Sequence, residues 1–110
     1  MPHRRLTPHA LELIAGRFKA LAEPARLKIL DALRNGEKSV SELAEDLDSS
    51  HANISKHLSV LFAGGFVKRR KQGLSVFYRL ADKTVFKLCD VMCGRIEAEL
   101  TVHRRTLRRR

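Results

Sequence analysis

Apolar positions recur at helical spacing early in the chain. Leu11, Ile14, Ala15, Phe18 and Leu21 share one face of a segment that opens with Thr7 as N-cap and Pro8 in the first turn. A second start follows at Glu23-Pro24, with Leu27, Leu30 and Leu33 as its stripe, and Asn35-Gly36 supplies residues that accept the left-handed geometry of a helix end. Ser39, Val40, Ser41 and Glu42 fit a capping box, which predicts a short helix with Leu43, Ala44 and Leu47 inward, stopping near Asp48. After the break at Asp48-Ser49-Ser50, a further helix turns Ile54, Leu58, Leu61 and Phe62 inward and leaves His51, Asn53, Ser55, Lys56 and Ser59 outside. A short helix, a tight turn and a polar-faced helix predict a helix-turn-helix.

Beyond Gly64-Gly65 the period changes to two. Extended segments Phe66 to Lys71 and Leu74 to Leu80 flank Gln72-Gly73, which predicts a β-hairpin with a basic tip. In its second strand Val76, Tyr78 and Leu80 alternate with Phe77 and Arg79, so one face sits on the helices. Asp82 is placed to cap a last helix reaching about Leu100, with Val85, Leu88, Cys89, Met92, Ile96 and Leu100 along one side. A stripe this long on a terminal helix predicts a partner helix. The fold class is therefore mainly α with a β-hairpin wing, a winged helix-turn-helix in which four helices precede the two strands and one follows. Residues 1–102 form the domain, and 103–110 have the composition of a frayed basic tail.

Charge narrows the partners. The 110 residues carry a formal net charge of +10, and that excess points to a polyanion, nucleic acid or an anionic membrane surface. No apolar run approaches the roughly 20 residues of a spanning helix, and Met1 to Arg5 does not lead into a secretory signal. Cys89 and Cys93 are the only cysteines, too few for a secreted disulfide framework, so the expected location is cytoplasmic. The sequence holds no Gly-rich phosphate loop, no Ser/His/Asp order and no HExxH, which argues against an enzyme.

The stretch Leu21-Ala22-Glu23-Pro24-Ala25-Arg26-Leu27-Lys28-Ile29-Leu30 resembles the second-helix signature of the ArsR/SmtB family of bacterial transcriptional repressors. Ser55-Lys56-His57-Leu58-Ser59-Val60-Leu61 resembles the family's recognition helix, and Gly65-Phe66-Val67 its entry into the wing. The resemblance spans roughly residues 14 to 100. It implies a homodimer packed through the first and last helices, with both recognition helices free for successive major grooves of an imperfectly palindromic operator.

A recognition helix needs short polar side chains near its start, and Ser50, His51, Asn53, Ser55 and Lys56 supply them. Asn53 suits adenine, Lys56 guanine or a phosphate, and His51 a base edge or a phosphate, while Ser50 doubles as a cap. His57 falls on the buried side and reads as structural. Lys68, Arg69, Arg70 and Lys71 place charge on the hairpin, where the resemblance implies contact with the minor groove or its phosphates; Arg79 is a weaker candidate.

Relatives that sense ions do so at positions that can be compared with this chain. Where arsenic-type members carry Cys-Val-Cys, Ser39-Val40-Ser41 stands here, and hydroxyls do not replace thiolates for soft ions. If Asp82 takes the first zinc-type position, Thr84, Arg95 and Ala98 occupy the others. Cys89 and Cys93 remain, at i and i+4 on one helix face, either as small apolar fillers or as a site for arsenite, another soft metal or a reactive sulfur or oxygen species. No cofactor is required. His3, His9 and His103 are further conceivable ligands. Two alternatives stay open: a winged-helix interaction module with no operator, and a constitutive regulator with no small-ligand sensing.

Overall fold

The computed structural model describes residues 5–100. The tail assigned to 103–110, the boundary at 102, and His3 and His103 lie outside the described residues. The elements are α1 (Pro8–Ala20), α2 (Pro24–Ala32), β1 (Lys38–Ser39), α3 (Val40–Asp46), α4 (His51–Ala63), β2 (Val67–Gln72), β3 (Ser75–Leu80) and α5 (Thr84–Glu99). Thr7 caps α1 by accepting the Ala10 N–H at 3.0 Å, and Pro24 opens α2, both at the predicted starts.

The core lies between α2, α3 and α4 and is closed on one side by the sheet. Ile29, Leu30, Leu33, Leu43, Leu58 and Leu61 are the largest fully buried side chains, with Val67 and Tyr78 contributed by the strands and Val85 by α5. Burying a side chain of this kind is worth about 1.5–3 kcal/mol, so these few positions hold the helix-turn-helix rigid.

The sheet has three antiparallel strands in the order β1-β3-β2, one more than the hairpin alone. Lys38 pairs with Tyr78 and Ser39 with Phe77, so the residues that lead into α3 are sewn to the hairpin. A strand of two residues carries no period, which is why the sequence pattern did not reveal it. The hairpin starts at Val67 rather than Phe66, and Gln72 pairs with Ser75, which puts Gly73 and Leu74 in the turn.

Phe62 on α4, expected inside, and Leu27 of the α2 stripe are more than one-third exposed. Leu11, Ile14 and Phe18 on α1, Leu88 and Met92 on α5 and Leu100 at its end are also exposed, on the stripes that the sequence assigns to a partner helix. Ala20 is the one buried residue of α1, so this helix is anchored at its C-terminal end. Asp82 accepts the Thr84 N–H at 2.9 Å, but Lys83 occupies the N-cap position of α5, without a side-chain cap bond.

Candidate nucleic-acid interface

Local chemistry sets the angle between α3 and α4. Ser39 Oγ accepts the Glu42 N–H at 3.1 Å and Glu42 Oε1 accepts the Ser39 N–H at 2.8 Å, closing the capping box that starts α3. At its end Asp48 adopts φ 51°, Ser49 N–H donates to Ala44 at 2.9 Å, and Asp48 N–H donates to Glu45 at 3.2 Å. That pair of bonds is a Schellman closure, in which the left-handed residue reverses the chain within one step. Ser50 then caps α4 through the Asn53 N–H at 3.0 Å, and Asn53 Nδ2 donates to Ser49 Oγ at 2.9 Å.

The two sides of α4 differ completely. Ile54, His57, Leu58 and Leu61 are buried, whereas His51, Asn53, Ser55, Lys56 and Ser59 are exposed, as the spacing predicts. His57 is held from within: its Nδ1 accepts a hydrogen bond from Arg26 Nε at 3.2 Å, so the neutral ring carries its proton on Nε2. It has no part in the outer face.

The corner into the hairpin uses the same closure as α3. Gly65 takes φ 81° while its N–H donates to Phe62 and that of Phe66 donates to Leu61 at 2.9 Å, a conformation that a side chain would strain. Of the hairpin's basic residues, Lys68, Arg69, Arg70 and Lys71 are all exposed, but they are not equivalent. Arg70 is engaged by Glu37, with Nε and Nη2 donating to the two carboxylate oxygens at 2.8 and 2.7 Å; Nη1 donates to Gln72 at 2.6 Å and the guanidinium lies over Phe77. The Arg70 hydrogen bond holds the Glu37 carboxyl below its usual pKa, and Glu37 raises Arg70 in return. Arg69 stacks 4.0 Å above the Phe62 ring, which accounts for the outward position of that phenylalanine. Lys56, Lys68 and Lys71 have no ion-pair partner among the described residues. Glu37 carries no sequence signal, because its partner lies 33 residues away.

The cysteines lie apart from this face, on α5. Both are free, Cys89 exposed and Cys93 partly so. Partial burial and then the Asp90 carboxylate push the Cys89 thiol above its usual pKa; Arg34 opposes this, and Asp31 and Cys93 add to it. Among the described residues no three His, Cys, Asp or Glu side chains come together as a metal cage. The positions compared with ion-sensing relatives are otherwise occupied: Ser39 caps α3, and Arg95 pairs with Glu99 at 3.1 Å. They do not fit those ions. No helix among the described residues is long and apolar enough to cross a membrane.

Residues 23–69, from the cap of α2 into β2, match the family model described as bacterial regulatory protein, arsR family. The chain is 39% identical over 75 residues to the biofilm growth-associated repressor of Agrobacterium fabrum, an alignment covering 68% of this chain and 64% of that protein. It is 38% identical over 89 residues to the transcriptional regulator NmtR of Mycobacterium tuberculosis, covering 81% of this chain and 74% of NmtR. A homodimeric winged helix-turn-helix DNA-binding domain from Mycobacterium bovis, described as a possible ArsR-family regulator, superposes with a TM-score of 0.72 at 30% identity, covering 96% of each chain. On its sequence, its fold and these relatives, the chain belongs to the ArsR/SmtB family of winged helix-turn-helix transcriptional repressors.

Proposed function

We propose that this chain acts as a homodimer on an imperfectly palindromic duplex operator, each protomer laying the start of α4 in a major groove. In this reading His51, Asn53, Ser55 and Lys56 face the DNA, Ser50 caps α4 and donates to the backbone, and Lys68, Arg69 and Lys71 meet phosphates. Arg70 holds the hairpin in place through Glu37. The observation that carries the reading is the division of α4: its inner side is locked into the core while its outer side is polar and exposed, engaged among the described residues only by the Asn53–Ser49 hydrogen bond. The face fits a groove about 12 Å wide.

Binding to duplex DNA from the chain's own upstream region, followed by fluorescence anisotropy across a salt titration, tests it. Lys56→Ala should weaken binding and lower the slope of log K against log salt by about one, the signature of one phosphate neutralised. A parent protein that ignores duplex DNA at low ionic strength, as an interaction module would, overturns the reading.

A second reading concerns the signal. Two free thiols one turn apart on α5, beside the face assigned to the dimer, favour release from DNA by a soft metal, arsenite or a reactive sulfur or oxygen species. The raised Cys89 pKa weighs toward slow chemistry. DNA affinity of the parent, Cys89→Ser and Cys93→Ser should be compared with and without each signal. Identical responses in all three assign the cysteines to packing.

A further inference from the structure

Between the first turn of α3, the start of α4 and the hairpin lies a cleft of about 270 Å³, walled by Ser39, Ser41, His51, Ser55, Leu74 and Ser75. β1, α3, α4 and the hairpin all contribute to it, and no Asp or Glu lines it. Ser39 is committed to capping α3. The hydroxyls of Ser41, Ser55 and Ser75 and the imidazole of His51 have no hydrogen-bond partner among the described residues. The nearby carboxylates are engaged: Glu42 accepts the Ser39 N–H, and Asp46 is paired with Lys38.

We infer that this cleft seats one backbone phosphodiester of the bound DNA, at the point where the strand passes from the groove held by α4 to the one faced by the hairpin. The inference rests on the DNA-binding reading above and adds Ser41 and Ser75 to the contact surface. It also assigns His51 and Ser55 to the backbone. Hydroxyl donors surrounding a space free of carboxylates match phosphate oxygens, and uncharged donors fix register without reading sequence. Lys71, the strand partner of Val76 on the cleft's hairpin wall, brings a cation to the rim. Leu74, fully exposed in the hairpin turn, supplies an apolar edge for the adjoining deoxyribose.

Ser41→Ala/Ser75→Ala and Ser41→Asp test the assignment on the duplex that the parent binds. Each neutral hydroxyl bond removed weakens binding several-fold, so the double variant should lose roughly tenfold or more. Its salt slope should stay at the parent's value, because a hydroxyl displaces no counterion. Ser41→Asp separates binding from folding: a carboxylate in the first turn of α3 favours the helix, so the melting temperature should hold or rise while DNA affinity falls further. Parent-like affinity in both variants overturns the phosphate seat and leaves the DNA-binding reading intact. No duplex binding by the parent overturns both.

Discussion

Arg26 spends its whole guanidinium inside the protein. Nε donates to His57 at 3.2 Å, Nη1 to the carbonyls of Lys19 and Ala20 at 3.4 and 3.3 Å, and Nη2 to Glu23 at 2.9 Å. One side chain thus ties the end of α1 and the cap of α2 to the inner side of α4, and no buried side-chain nitrogen or oxygen among the described residues lacks a partner. Arg26→Lys keeps the charge but not the planar fork, so at least one of these acceptors is orphaned. The expected loss is about 2 kcal/mol, a fall in melting temperature of roughly 10 °C for a domain of this size, checked by thermal denaturation at fixed protein concentration. His57 was legible as structural from its place one residue before Leu58. Arg26 was not legible as its partner, because a contact across 31 residues leaves no mark on local periodicity.

At the scale of elements, caps and turns were readable because the groups that make them are neighbours in sequence. Thr7, Ser39 and Ser50 each reach a backbone N–H three residues on, and each stands where the pattern placed a helix start. β1 was invisible because its two residues make a strand only by pairing with β3, far along the chain. The wing's anchoring shows the same divide, since four basic residues in a row look alike until Glu37 claims one of them. That anchoring has a pH dependence of definite sign. The Glu37 carboxyl sits below 4.5 in the folded protein because of Arg70, so its contribution is complete above about pH 4.5 and is lost as pH falls through the lower folded value. Acid titration of parent and Glu37→Gln should show the parent's advantage in hairpin protection from hydrogen exchange at neutral pH, vanishing at the acid end. Curves that run parallel down to pH 2 would remove the ion pair from the wing's anchoring.

The whole molecule explains why the apolar faces of α1 and α5, read from their helical spacing, stay open within one chain. Periodicity reports that a face is apolar, not what covers it, and Leu11, Phe18, Leu88 and Met92 find no cover within one chain. Hollows of about 520 Å³ and 300 Å³ flank α1, one over Gly16 and Gly64, the other between Phe18, Phe66 and Leu88. Apolar exposure of this kind marks an association surface, and in the proposed repressor its occupant is the second protomer. The dimer then sets the spacing of two α4 helices to operator half-sites about 34 Å apart. Phe18→Glu with Met92→Glu places charges on both exposed helices without touching the buried core. Sedimentation should give a dimer for the parent and a monomer for the variant, with the helical circular dichroism of each chain preserved. Each monomer keeps its own α4 and hairpin but loses the linkage of two half-sites, so affinity for the full operator should fall by about a hundredfold or more while binding to a single half-site changes little. A monomeric variant that binds the full operator as tightly as the parent would mean that one α4 suffices and that the apolar faces serve some other contact.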